Sequence, residues 1–382
     1  MVTSSKTGKR SLTEASNQGT GRDGTARLAS HPMPDVIEVR PEERFDEERL
    51  HAYLRPRLEG ADSDLTVRQF SGGRANLTYL LEFASGRQYV LRRPPLGPLP
   101  PGAHDMGREY RVLSRLWEAF DKAPRALLYC DDDTVIGAPF FVMERRDGVV
   151  VRETVPEVFG GGADPEANAA LSRVVVETLA EFHAVDPASC GLDDLGRPEG
   201  YLERQVNGWL ERWARARHED NPLAEEVGLW LADTMPESPP ATLLHNDWRL
   251  DNMAVSAEDP SVCVAVYDWD MATRGDPLTD LGTLFGSWHH PDEIDERTHS
   301  LMPVTAPGWM RREEAVEVYA ARSGRDVSEI DWYIVFGTWK LGVILQQIYI
   351  RYLRGQTSDE RFATMGEGAA RLMELAAARR PG

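Results

Sequence analysis

Cysteine is scarce in this chain. Cys130, Cys190 and Cys263 are the only three in 382 residues, and no two stand at the spacing of a disulfide framework or a zinc ligand pair. They read instead as small buried hydrophobes of a protein from a reducing compartment. Lysine is nearly as rare, at Lys6, Lys9, Lys122 and Lys340 alone, so almost all of the 43 basic residues are Arg. Positive charge as a whole falls short: 62 acidic residues leave a formal net charge of −19. A field of that sign argues against nucleic acid and membrane surfaces as partners, and leans mildly towards cationic ligands. Long apolar runs are missing too. The most apolar stretch, 332–352, contains Lys340, Gln346, Gln347 and Arg351, and reads as a buried core helix, not a membrane span. The N-terminus has no apolar segment of the secretory kind, so a cytoplasmic location is expected.

What is present is an ordinary globular balance, 41 % apolar and 27 % charged, over a length that suits two lobes. Residues 1–40 are polar and aperiodic and read as a disordered tail. Alternating runs at 65–70, 77–83 and 88–93, joined by SGGRAN and ASG, predict three strands. A helix is expected over 105–120 with Tyr110, Leu113, Leu116 and Trp117 on one side, followed by strands at 126–130 and 139–144. Residues 41–145 thus form a small β-rich N-lobe. Residues 146–382 form a larger lobe with helical periodicity near 166–186, 199–218, 222–234, 311–323, 329–354 and 359–379, interrupted by a hairpin between 242 and 268. The expected fold class is α+β with two lobes.

The central segment reads HNDWRLDN and places His245, Asp247 and Asn252 at H-x-D-x-x-x-x-N spacing. That is the catalytic-loop spacing of protein-kinase-like enzymes. The apolar runs at 253–255 and 262–267 flank an AEDP turn. A hairpin centred there puts residue i opposite about 520 − i, so Asn252 meets Asp268 to within a residue. An amide oxygen beside a carboxylate suits Mg²⁺, which keeps its other positions for water and phosphate. Asp247 is the candidate to orient a hydroxyl and take its proton during transfer of the γ-phosphoryl group of ATP. His245 reads as a structural hydrogen-bonder.

On the nucleotide side, Gly72 and Gly73 would let backbone N–H groups approach phosphates. In the third strand Val90 and Arg92 share a face, suiting adenine and phosphate respectively, while Arg93 points to solvent. No Lys is at hand for the phosphate role, so an Arg takes it. Glu109, in the next helix, is the candidate ion-pair partner of Arg92. The chain around Glu144 reads as a hinge whose backbone contacts adenine.

These segments resemble the aminoglycoside phosphotransferase family over roughly 45–375. HNDWRLDN is similar to its H-G-D-x-x-x-x-N loop, and YDWDMATRGDPLTDLG to its D-W-E-x-A-x-x-G-D-P-x-x-D-L-x segment. EFHAVDPASCGLDDLGRPEGYLERQVNGW resembles the subgroup fused to acyl-CoA dehydrogenases. The resemblance implies a protein-kinase-like fold, ATP and Mg²⁺, and a hydroxylated small-molecule substrate. It matches Asp247 to the catalytic Asp, and Asn252 and Asp268 to metal ligands. Two departures are Asn246 for Gly and Asp270 for Glu. Asp276 and Asp280 match acidic positions expected to be structural, and His183 is expected in the core. Trp288, His289 and His290 are candidates to line the acceptor pocket. A hydroxyacyl-CoA-like acceptor leads; an antibiotic kinase and an inactive nucleotide-binding regulator are the alternatives.

Overall fold

A computed structural model describes residues 36–71, 76–97, 104–218, 221–298, 300–357 and 359–381. The N-lobe is built on an antiparallel sheet. Its strands are β1 (Val36–Ile37), β2 (Leu65–Phe70), β3 (Leu77–Phe83), β4 (Gln88–Arg93), β5 (Ala126–Cys130) and β6 (Phe140–Glu144), in the order β1-β2-β3-β4-β6-β5. Val36 pairs with Phe70 and Ile37 with Gln69. The sheet therefore takes in residues of the segment expected to be tail. Backbone pairing at a sheet edge, with the Arg40 N–H donating to Gln69 Oε1 at 3.0 Å, needs no hydrophobic pattern to reveal it. Residues 1–35, and the proposed phosphate-loop glycines Gly72 and Gly73, lie outside the described residues.

The described α-helices of this lobe are α1 (Glu47–Leu54), α2 (Met106–Leu116) and the single turn α3 (Asp133–Ile136). Asp46 caps α1 by accepting from the Arg49 N–H, and Asp105 caps α2 by accepting from the Arg108 N–H. The period-2 alternation of β4 splits its side chains between two cores. Tyr89 and Leu91 join Leu50, Leu54, Tyr79 and Phe140 on the outer face under α1. Val90 joins Phe141, Met143 and the α2 residues Val112, Leu113 and Leu116 in the core that continues into the C-lobe. The buried face of α2 is Met106, Glu109, Val112, Leu113 and Leu116, turned from the expected Tyr110–Trp117 side. Tyr110 instead stacks on Tyr129 with ring centroids 5.4 Å apart. Arg93 is not in solvent: it is buried, and its Nη1 donates to Ile136 O at 2.9 Å.

In the C-lobe, β7 (Val149–Val150) precedes α4 (Pro165–His183), α5 (Tyr201–Ala216) and α6 (Pro222–Asp233). Four short strands follow: β8 (Thr242–Leu244), β9 (Met253–Val255), β10 (Cys263–Val266) and β11 (Thr273–Gly275). The lobe closes with α7 (Pro277–Gly286), α8 (Arg312–Ser323), α9 (Ile330–Leu353) and α10 (Met365–Ala378). β9 pairs with β10 and with β7, and β8 pairs with β11. α7 packs backbone to backbone on α9, where a Cβ added at Gly337 would lie 2.0 Å from Gly282 O. No described helix is long and apolar enough to cross a membrane. All three cysteines are buried free thiols.

Candidate active site

The loop between β8 and β9 is held from below by one side chain. Asp280, on α7, accepts from the His245 N–H at 2.7 Å through Oδ2 and from the Asn246 N–H at 2.8 Å through Oδ1. Asn246 adopts a left-handed backbone, φ +67°, which Asn tolerates better than other non-glycine residues. Its side chain adds two ties: Oδ1 accepts from Tyr201 Oη at 2.7 Å, and Nδ2 donates to Met271 O at 3.0 Å. His245 is fully buried against Trp269, with ring centroids 4.7 Å apart. Its Nδ1 accepts from the Asp247 N–H at 3.3 Å, so Nε2 carries the proton and donates to Tyr267 O at 2.8 Å. His245 thus orients backbone on both sides of the site.

Asp247 is a third exposed. Its Oδ2 accepts from Asn252 Nδ2 at 2.8 Å, and the same Nδ2 also reaches Asp247 O at 2.9 Å. Arg249 Nε lies 3.3 Å from Asp247 Oδ1 and 3.1 Å from Asp251 Oδ1. With its amide nitrogen engaged, Asn252 keeps its oxygen for another partner. The hairpin sets Asn252 beside the end of β10: Tyr267 N–H donates to Asn252 O at 2.8 Å. Asn252 thus faces Tyr267, one residue short of Asp268: the pairing nearest the turn, Cys263 with Val255, centres the hairpin one residue before Pro260, and the bulge between Cys263 and Ala265 restores part of the shift.

Asp268 stands in the left-handed region, φ +67°, where the strand turns into a short 3₁₀ segment, Trp269–Met271. Its Oδ1 accepts from Arg92 Nη2 at 2.9 Å, while Arg92 Nη1 donates to Glu109 Oε1 at 2.6 Å. One guanidinium therefore joins β4, α2 and the post-hairpin turn. Burial opposes the charge on Asp268, and Arg92 more than offsets it, holding the carboxyl below its usual range. Burial likewise works against the Arg92 cation, but Glu109 and Asp268 raise its pKa. Burial pushes Glu109 up and Arg92 pulls it back. A guanidinium does not lose its proton, so the bonds Arg92 makes to both carboxyls are charge-assisted. Asp270 is pushed up, first by burial and then by Asp268. From the N-lobe, Asn76 Nδ2 reaches Asp270 Oδ2 at 3.5 Å.

Val90 shares the Arg92 face and pairs with Met143. Glu144 ends β6, but its N–H donates to Arg125 O and its Oε1 accepts from the Arg125 N–H, so both groups serve the sheet. The expected pocket residues lie elsewhere. Trp288 and His289 are buried, Trp288 Nε1 bonding Met310 O at 2.9 Å, and His290 sits 3.0 Å from Glu313. His183 is also buried, with Nδ1 and Tyr319 Oη 2.7 Å apart. Asp276 caps α7 and accepts from Tyr333 Oη at 2.7 Å. Sequence reasoning missed Arg249, Tyr201 and Lys340, which stand among the loop's neighbours; the first lies within HNDWRLDN and could have been picked out as a cation between two aspartates.

Among the described residues, no three His, Cys, Asp or Glu side chains converge as a metal cluster. The oxygens offered at the end of the hairpin are an amide and a carboxylate, Asn252 just before β9 and Asp268 just after β10. It is a set that a hard cation with several water and phosphate ligands would accept. Arg92 Nε is buried without a partner, a donor left over for an anion.

A sequence profile described as the phosphotransferase enzyme family matches residues 66–333. The chain belongs to that family. Acyl-CoA dehydrogenase family member 11 of Rattus norvegicus is 36 % identical over 336 residues, which is 85 % of this chain and 42 % of that protein. The chain therefore spans less than half the length of that relative. A Ralstonia eutropha structure assigned as an aminoglycoside phosphotransferase superposes with a TM-score of 0.76 at 28 % identity, covering 88 % of this chain and 98 % of its own. A choline kinase from Cryptosporidium parvum shares the fold at 12 % identity, TM-score 0.59, covering 87 % and 95 %. This member of the phosphotransferase family thus has the protein-kinase-like α+β fold of two lobes.

Proposed function

We propose that this phosphotransferase moves the γ-phosphoryl group of Mg·ATP to a hydroxyl of a small molecule, with hydroxyacyl-CoA-like metabolites as the leading acceptor class. The reading rests on one observation: Asn252, bonded to Asp247, pairs with the residue preceding Asp268, and Asp268 is bonded by Arg92, which Glu109 holds in turn. Phosphoryl transfer asks a protein mainly for alignment and charge neutralisation, and this set provides both. Mg²⁺, when bound, would supply charge neutralisation for the phosphates. Asn252 Oδ1 and Asp268 would hold it, and Arg92 would offer its Nε to a phosphate oxygen. Asp247, fixed by Asn252, orients the acceptor hydroxyl. As the new oxygen–phosphorus bond forms, the bond to the ADP oxygen breaks and the hydroxyl proton passes to Asp247. A loose transition state allows that proton to move late, which suits a weak base.

The acceptor class draws support from relatives named acyl-CoA dehydrogenases, which carry a domain like this one. The competing acceptor is a cationic antibiotic, favoured by the net charge of −19. The test is ADP release from Mg·ATP against a pool of hydroxyacyl-CoAs and a pool of aminoglycosides and macrolides. Asp247→Asn is expected to lower turnover by about 10²–10⁴-fold while leaving Mg·ATP binding nearly intact. Wild-type turnover in that variant would remove Asp247 from the chemistry.

A further inference from the structure

Two cations beside the catalytic loop have no carboxylate within ion-pair distance among the described residues. Lys340 projects from α9 and is only 5 % exposed. Its Nζ meets Asn246 O at 3.4 Å and Thr283 Oγ1 at 3.5 Å, long contacts to neutral acceptors for a group with three donors. Arg212, exposed on α5, lays its guanidinium 4.5 Å from the centroid of the Trp209 ring, and Lys340 Nζ stands 5.7 Å from the same centroid. Burial lowers the pKa of Lys340; Asp280 and Asp247 raise it, and Arg212 lowers it, so the ammonium feels the loop carboxylate and the second cation together. A buried ammonium is costly to keep unless a counter-charge compensates it. The backbone carbonyl it touches belongs to the residue preceding Asp247, which places this arrangement at the acceptor hydroxyl's end of the site.

We propose that Arg212 and Lys340 receive an anionic group of the acceptor beside Trp209, while the acceptor hydroxyl faces Asp247. The inference rests on the phosphotransferase reading and names its substrate class: a hydroxyl compound that also carries a carboxylate or a phosphate. Trp209, whose Nε1 donates to Gln205 Oε1 at 3.3 Å, is itself buried and fixes the two cations beside one ring. The overall acidity of the chain points towards cations, but charges at contact distance outweigh a distant field screened over about 8 Å in physiological salt. A polycationic aminoglycoside would meet Arg212 and Lys340 as like charges and be rejected.

Calorimetry on the full chain saturated with Mg·AMP-PNP tests this, using 3-hydroxybutyrate, glycerol 1-phosphate, 3-hydroxybutyryl-CoA, glycerol and kanamycin. At least one anionic probe is expected to bind about tenfold or more tighter than glycerol, and Arg212→Gln to remove that advantage. The three anionic arms separate a carboxylate, a simple phosphate and the phosphates of CoA as the group received. Lys340→Met should act in the same direction; should it fail to fold, the exposed Arg212→Gln still decides. Anionic probes binding no tighter than glycerol, tighter binding of kanamycin, or an unchanged anion affinity in Arg212→Gln would overturn the inference. A wild-type chain that fails to bind Mg·AMP-PNP would instead sink the phosphotransferase mechanism, and that titration is read first.

Discussion

At residue scale, Asn246 and Arg92 each find a physical account in their neighbours. Asn246 occupies a left-handed position where a Cβ costs roughly 1–2 kcal/mol, and its side chain offsets that with bonds to Tyr201 and Met271. Arg92 stands where Lys is usual, and its fork lets it bond Glu109 and Asp268 through separate nitrogens, a geometry that a single ammonium matches poorly. Away from the site, His289 gives the chain a pH dependence. It is buried with Nε2 unpartnered, and its pKa is lowered to about 4, first by burial and then by Arg379. Between the ordinary value of 6.5 and about 4, the unfolded chain binds a proton that the folded chain refuses. Stability contributed by this residue is therefore intact above pH 6.5 and falls as pH drops towards 4, by up to roughly 3 kcal/mol. Urea unfolding at pH 7 and pH 5 is expected to show the decline, and His289→Asn to flatten it. An equal decline in that variant would assign the effect to other groups, such as His183, whose pKa burial also lowers.

At the scale of elements, α7 links the core to the loop. It carries Asp280, and its distance from α9 is set by backbone contact at Gly282 and Gly337. Gly337→Ala would drive a Cβ to 2.0 Å from Gly282 O, so the helices must separate. A loss of about 1–3 kcal/mol in denaturant unfolding is expected, together with lower turnover as Asp280 moves from the loop. Unchanged turnover in a destabilised variant would show that the loop tolerates the shift. α7 is also where legibility in the sequence ran out. Every residue from Pro277 to Gly286 except Thr283 is buried, so no polar stripe marks a helical period. The strands β2, β3 and β4 were legible from alternation bounded by turns, and α9 from its length. The short loop motif made Asp247 and Asn252 legible as candidates. Arg93 was misplaced in solvent because alternation separates faces without telling which faces are covered; α1 covers the second one. The hairpin register was readable to one residue; the turn is centred one residue before Pro260, and the bulge makes up part of the difference. Lys340 lies more than ninety residues from the loop it touches, and nothing local in the sequence signals that contact.

At the scale of the whole molecule, the two lobes meet through polar ties around the candidate nucleotide site. Arg92 of β4 holds Asp268, Arg108 Nη2 of α2 donates to Ala272 O at 2.6 Å, and Asn76 approaches Asp270. Below them a shared apolar core runs from Val90 and Phe141 to Trp248 and Trp269. A ligand that draws on both Arg92 and Asp268 adds to these ties, and should stabilise the folded chain by about 2.7 kcal/mol when present at a hundred times its Kd. Asp268→Asn separates the contributions. The amide still accepts from Arg92, so the lobes stay joined, but the negative charge that a cation needs is gone. In wild type, Mg²⁺ together with AMP-PNP is expected to raise the melting temperature by roughly a few degrees beyond AMP-PNP alone. In Asp268→Asn that magnesium-dependent increment should vanish while the smaller effect of the nucleotide remains. An undiminished increment would take Asp268 out of the metal site and leave it as the anchor of Arg92.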